Sequence, residues 1–193
     1  MNLETERLIL RKLKMSDIED FHSFRSDPEI CKFQSFMTFS LEDSKKFIEE
    51  QSDLEFGTPG VWVQTGIVWK ENNKLVGDFA LCPKEDEPRT VEIGVTLNTP
   101  FQGKGFAVEA FTKVFEYLFT ETETHRIIGL LDTENHGSRK LMENLNFRRE
   151  AHFIKSYWDK KLNEWRDEFV YAILKEAWES SRKITSQNDK ISS

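Results

Sequence analysis

The chain is short of cysteine, of basic charge and of long apolar runs, and each shortage closes off a class of function. Cys31 and Cys82 are the only two cysteines among 193 residues, and they lie far apart. Neither they nor the four histidines fall in metal-ligand spacing, so no metal site is expected. Lys and Arg number 27 against 34 Asp and Glu, a formal net charge of −7. Duplex nucleic acid as the main ligand needs a clustered excess of Lys and Arg, so no nucleic-acid partner is expected. An acidic surface favours cationic partners, amines among them, and equally serves solubility. No stretch approaches the roughly 18 apolar residues of a membrane span. The opening Met1-Asn2-Leu3-Glu4-Thr5-Glu6 lacks the basic and apolar segments of a targeting signal. The expectation is a cytoplasmic protein with reduced thiols and no membrane partner.

Aromatic residues, by contrast, are plentiful. They make up 12% of the chain, with 16 phenylalanines, and hydrophobic residues reach 38%. That is enough for a substantial core, and the length suits one domain. Residues Arg7 to Leu13 alternate as a strand should. Ser16 and Glu19 form a capping-box pattern that predicts a helix to about Arg25. Asp27-Pro28 opens a short helical piece, and Ser40 caps a further helix that Gly57, Pro59 and Gly60 end. Strands follow over Val61 to Trp69, Leu75 to Cys82 and Thr90 to Leu97, the first two joined by the turn Glu71 to Lys74. Ala107, Phe111, Val114, Phe115 and Leu118 then recur at helical spacing. Arg126 to Leu131 is a strand, Gly137 to Leu145 a short amphipathic helix, and Phe147 to Tyr157 and Asp167 to Leu174 are strands around a polar loop, Asp159 to Glu164. The sum is a mixed α/β (α+β) layer fold in one domain over residues 1–179, with a polar tail over 180–193 that should fray.

The chemistry concentrates in Gly94-Val95-Thr96-Leu97-Asn98-Thr99-Pro100-Phe101-Gln102-Gly103-Lys104-Gly105-Phe106-Ala107. A strand ends, a short loop turns, and small residues lead into a helix. Backbone N–H groups at a helix N-terminus attract anions, and Gly103 and Gly105 let the backbone approach one closely. The segment reads as a pyrophosphate cradle. It is not a P-loop, because Lys104 is followed by Gly105 and Phe106 rather than Ser or Thr. It is not a dinucleotide fingerprint, because Val108 stands where the third glycine belongs. The plainer alternative is a helix start whose glycines serve packing alone.

The pattern Gln-Gly-X-Gly-X-Ala at Gln102 to Ala107, after a strand ending in Leu97, resembles the acetyl-CoA-binding motif of the GNAT superfamily of N-acetyltransferases. Asn135-His136-Gly137-Ser138, with Leu141 and then Asn146-Phe147, is similar to the next helix and strand of that superfamily. Asn146 stands where glycine is usual, and asparagine tolerates a left-handed helix end. Glu4-Thr5-Glu6-Arg7-Leu8-Ile9-Leu10-Arg11 and Asp167 to Leu174 look like the opening and the closing strand of its RimJ/RimL-type branch. The resemblance spans nearly the whole chain and implies a mostly antiparallel central sheet of about seven strands flanked by helices.

It also implies direct transfer of an acetyl group from acetyl-CoA to a primary amine in a ternary complex. Backbone groups of Val95, Thr96 and Leu97 would pair with the pantetheine arm, and N–H groups from Gln102 through Gly103, Lys104, Gly105 and Phe106 to Ala107 would hold the pyrophosphate. Gly94 is the expected place for a bulge opening the strand. A protonated lysine-type amine, with pKa near 10.4, needs a base more than an α-amine near about 8 does. Glu92 is the candidate base, or else an outward-facing ion-pair partner. Ser138 would meet the leaving sulfur and Asn135 the pantetheine, or both simply cap the helix. Tyr157 and Tyr171 are alternative acids, Tyr171 reading more simply as a strand aromatic. A ping-pong route through Cys82 or Cys31 lacks a histidine partner in sequence. The resemblance suggests a protein N-terminal α-amine as acceptor, with polyamines, amino acids and aminoglycosides as alternatives. Phe33 to Met37 and the loop Asp159 to Glu164 would wall the acceptor site. A non-catalytic acyl-CoA-binding regulator is the rival class, and a homodimer through sheet edges or the C-terminal strands is compatible with the sequence.

Overall fold

A computed structural model describes residues 1–182. The strands are β1 (Leu3–Glu4), β2 (Leu8–Lys12), β3 (Val63–Trp69), β4 (Lys74–Pro83), β5 (Thr90–Leu97), β6 (Arg126–Asp132), β7 (Arg148–Asp159) and β8 (Glu164–Leu174). The helices are α1 (Ile18–Arg25), α2 (Pro28–Cys31), α3 (Leu41–Ser52), α4 (Phe106–Glu121) and α5 (His136–Asn144), and residues 175–182 are helical as well. The eight strands form one sheet in the order β1-β2-β3-β4-β5-β6-β8-β7. Every neighbouring pair is antiparallel except β5 and β6. This is the expected mixed α/β architecture, with the two-residue β1 added at the edge.

Helices cover both faces. On one, the α4 side chains Phe106, Phe111, Val114, Phe115 and Leu118 meet Phe79, Leu81, Val91 and Ile93 of the sheet, all buried. Each such side chain contributes about 1.5–3 kcal/mol by leaving water, so this helix anchors the sheet. On the other face, Phe21, Phe24 and Ile48 from α1 and α3 pack on Leu13, Val68 and Leu75. Arg25 is buried there too, its guanidinium donating to Asp78 Oδ2 of β4 at 2.6 Å. The rings of Phe21, Phe24, Phe36, Phe39 and Phe47 lie within 4.3–5.9 Å of that guanidinium.

Local departures from expectation have physical reasons. The Ser16–Glu19 box does not form. A 3-10 turn over Met15–Asp17 precedes α1, and the Asp17 carboxylate takes the Lys14 N–H at 2.8 Å and the Arg11 guanidinium at 2.7 Å. A charge-assisted pair outcompetes a serine cap. At the other end of the sheet, β7 and β8 reach further than expected and pair Asp159 with Glu164, leaving only 160–163 as the turn. Asn146 adopts φ 60° after α5, as the sequence suggested for an asparagine in a glycine's place. The helical segment at the end extends through residue 182, and the rest of the expected tail lies outside the described residues.

Candidate active site

The parallel pair is short. β5 and β6 align only at Thr90–Arg126, Val91–Ile127 and Glu92–Ile128. Beyond Glu92, β5 stays with β4 to Leu97, while β6 stays with β8 to Asp132. The sheet therefore parts along its middle. Asn98 N–H donates to Val76 O at 3.0 Å, which makes Leu97 and Gly77 a non-hydrogen-bonded pair. Leu97 and Val95 thus turn their backbone groups away from β4, into the opening. Gln34 Nε2 donates to Val95 O at 3.3 Å and Gln102 Nε2 to Leu97 O at 2.9 Å. The expected bulge at Gly94 is absent, since Gly94 pairs one-for-one with Ala80 in unbroken register. The opening comes from the departure of β6 instead.

The loop after β5 exposes the backbone donors. Asn98–Gln102 turns through a 3-10 element in which Phe101 N–H and Gln102 N–H are bonded to Asn98 O and Thr99 O. The Gln102 N–H is therefore spent, and the free run of donors starts at Gly103 rather than at Gln102. Gly103 and Gly105 hold φ 72° and 81°, a conformation that side-chain-bearing residues adopt at a cost of about 1–2 kcal/mol. Gly105 caps α4, and Glu109 N–H to Gly105 O closes its first turn, so Phe106, Ala107 and Val108 have no partner within the helix. The positive end of a 16-residue helix points into the same place. The N-terminal segment fixes the loop from behind. Arg7 donates to Lys104 O at 3.1 Å and to Glu109 Oε2 at 2.6 Å, and lies 4.6 Å from the Phe106 ring centroid.

The far wall is α5. Asn135 Oδ1 accepts the Ser138 N–H at 3.0 Å, so the asparagine caps the helix as the simpler reading held. Gly137, Lys140, Leu141 and Asn144 follow at helical spacing and line the cleft with Ser138. The resulting cleft, about 660 Å³, brings together Val95, Thr96, Leu97, Gln102, Gly103, Gly105, Phe106, Ala107, Asn135 and Ser138. Lys104 does not join them. It lines a separate depression with Arg7, Trp69 and Lys70, its ammonium 5.5 Å from the Phe101 ring centroid. Sequence reasoning missed Lys140 and Asn144, although their spacing from Ser138 and Leu141 marks one helix face. It also assigned Phe33 and Gln34 to the acceptor wall, whereas both line this cleft.

The remaining candidates lie outside the cleft lining. Glu92 sits at the last rung before the strands part, with Lys84 Nζ 3.2 Å from its carboxylate. Tyr157 is engaged elsewhere, its hydroxyl donating to Asp132 Oδ2 at 2.6 Å beside Arg166. Burial, and then the Asp132 carboxylate, push its pKa up, which makes it a weak proton donor. Tyr171 is buried in the core, as its reading as a strand aromatic held. Both cysteines are buried, and burial pushes each thiol up, Glu92 adding to the effect at Cys82. Neither is a thiolate ready to carry an acyl group. Among the described residues no cluster of three or more His, Cys, Asp or Glu side chains could hold a metal ion. None of the helices there is long and apolar enough to cross a membrane.

A parted parallel pair, a donor-rich loop and a cleft of mixed polar and apolar lining lie together, and such a surface could hold an extended, anionic ligand. The family model for the acetyltransferase (GNAT) domain matches residues 7–148, and the chain belongs to that family of acyl-transferring enzymes. It is 33% identical to YnaD of Bacillus subtilis, an uncharacterized N-acetyltransferase, across 92% of this chain and 99% of that one. A GNAT-family acetyltransferase structure from Bacillus anthracis superposes with a TM-score of 0.82 at 33% identity, covering 91% of this chain and 99% of the other. RimL, a ribosomal L7/L12 alpha-N-protein acetyltransferase solved with coenzyme A, has a TM-score of 0.79 at 16% identity, covering 92% and 99%. At that identity the likeness is one of fold.

Proposed function

We propose that the protein transfers the acetyl group of acetyl-CoA to a primary amine, a protein N-terminal α-amine in the first instance, by direct attack in a ternary complex. The observation that carries this reading is the meeting of two edges in one cleft. The outward-turned backbone of Val95 and Leu97 suits an amide-bearing arm, and the unpartnered N–H groups from Gly103 onward suit a pyrophosphate.

The acceptor approaches through the opening from the face that carries Glu92. Glu92 takes one proton from its ammonium, through a water if needed, since the carboxylate stands two residues, about 7 Å of strand, from Val95's neighbour Gly94. The amine lone pair forms the C–N bond at the acetyl carbon while Val95 N–H faces the carbonyl oxygen. The C–S bond breaks, and the sulfur, beside Ser138, takes the second amine proton. Lys140 on the cleft wall adds positive charge for a phosphate. The RimJ/RimL-like ends of the chain support the α-amine, and the cytoplasm would supply both substrates.

Calorimetric titration with acetyl-CoA, with NAD and ATP as controls, tests the cleft. Saturable, selective binding followed by thiol release in the presence of N-terminal peptides is the expected result. Binding without release to any amine would make the protein an acyl-CoA-binding regulator, and no binding by the folded protein would overturn the proposal.

A further inference from the structure

Glycine at position 94 has no structural reason. Its register with Ala80 is regular and its φ is not in the left-handed region. A Cβ built there would meet no heavy atom within 4 Å. A glycine inside a strand weakens it by about 0.5–1 kcal/mol relative to alanine, so an empty place needs another cause.

Extending the β5–β6 register by two residues sets Gly94 opposite Leu130 across the opening. Leu130 belongs to an interior strand, yet it is 40% exposed. A lone exposed leucine means little in itself, but this one follows the last β5–β6 rung by two residues, where the sheet parts. Strand pairing puts it on one face with Glu92, Gly94, Ala80, Ile128 and Val170. The same face carries Asp78, over which α1 packs, so the apolar floor begins where the helical cover ends.

The carboxylates of this face are largely taken. Glu92 has Lys84, and Asp132, Glu134 and Glu164 share Arg166. Glu168 accepts the Ser156 hydroxyl. Leu130 thus stands among carboxylates that are engaged with protein partners, and it offers an incoming group apolar surface rather than charge.

We infer that the acceptor amine is borne on a neutral apolar group, which Leu130 packs against while the vacancy at Gly94 admits the amine to the acetyl carbon. This rests on the acetyl-transfer reading above and names its substrate class. A peptide beginning with leucine and a free aralkylamine share that chemistry, and the two sources are separable by assay.

The test compares thiol release from acetyl-CoA with a Leu-initiated peptide, an Asp-initiated peptide of the same remaining sequence, 2-phenylethylamine and spermidine. The Leu-initiated peptide should exceed the Asp-initiated one by about tenfold in kcat/KM, the worth of one buried aliphatic side chain. Activity with 2-phenylethylamine alone would point to the small-molecule source. Leu130→Asp should erase the preference for the Leu-initiated over the Asp-initiated peptide, with acetyl-CoA binding by calorimetry reporting that the variant folds. Gly94→Val should abolish transfer while acetyl-CoA binding, measured by calorimetry, stays intact and reports that the variant folds. A preference for spermidine in the wild-type protein, or an acceptor profile unmoved by Leu130→Asp, would overturn the inference and leave acetyl transfer standing. Absence of acetyl-CoA binding in the wild-type protein would instead sink the reading beneath it.

Discussion

The two sides of the opening between β5 and β6 are built from different materials. On the side proposed for the cofactor the groups on offer are backbone: the Val95 and Leu97 edge, the glycine loop and the first turn of α4. On the side proposed for the acceptor they are side chains set on buried charge: Arg25 with Asp78, and Arg166 with Asp132. Backbone donors are fixed by the path of the chain and tolerate changes around them. A buried ion pair is fixed by two side chains, and losing either leaves a charge with no water to stabilise it. The acceptor side should therefore lose stability when mutated, and the cofactor side should lose affinity.

The largest effect should come from Asp78→Ala. Asp78 is fully buried and accepts from both Arg25 and Gln64, the latter at 2.8 Å. Removing it strands a guanidinium among five phenylalanines and should cost about 3–5 kcal/mol. Denaturant unfolding would show it as a lower midpoint with an unchanged slope. A loss under 1 kcal/mol would mean that the aromatic rings alone hold Arg25.

Asp132 comes next, and it carries a pH signature. Burial pushes its pKa up, but hydrogen bonds from Arg166 and Tyr157 outweigh that and hold it below the ordinary value. A carboxylate depressed in the folded state contributes stability that is complete above the unfolded value of about 3.9 and is lost as pH falls below it. Asp132→Asn should therefore cost about 2 kcal/mol at pH 7. The gap to wild type should close on acidification below about pH 4. A gap that does not narrow at all as pH falls through and well below the unfolded value would assign the loss to shape rather than to charge.

On the cofactor side, Gly105→Ala tests the backbone. The left-handed φ of 81° penalises a Cβ by about 1–2 kcal/mol, and relief requires the loop to move. Acetyl-CoA affinity should fall roughly tenfold, while the KM for the acceptor stays put. Equal loss in both would contradict the division between the two sides.

That division also explains what was legible in the sequence. Gly103, Gly105 and Asn146 mark backbone conformations that few residues adopt, so single letters located the loop before α4 and the end of α5. The apolar spacing of α4 located the helix under the sheet in the same way. Long-range pairing leaves no such mark. Nothing near Tyr157 announces Asp132, which is 25 positions away, and the hydroxyl read as a free acid proves to be committed. The bulge expected at Gly94 failed likewise, because the strand opens through the path of β6 and not through its own residues.

The smallest effect tests a link between the two sides. Lys161, at the β7–β8 turn, donates to Cys31 O at 2.6 Å and to Gln34 O at 2.5 Å, and burial pulls its pKa below the ordinary value. Gln34 in turn reaches Val95 O through its side chain. The turn is thereby tied to the edge where transfer is proposed to take place, and the two segments expected to wall the acceptor site are held as one piece. Lys161→Met should remove these bonds at a cost of about 1 kcal/mol, read as a roughly fivefold rise in acceptor KM. The turnover number and the acetyl-CoA affinity should change less, and Lys161→Arg should restore part of the loss. A fall in turnover with KM unchanged would place Lys161 in the chemistry instead, and the two sides would no longer be separable at this edge.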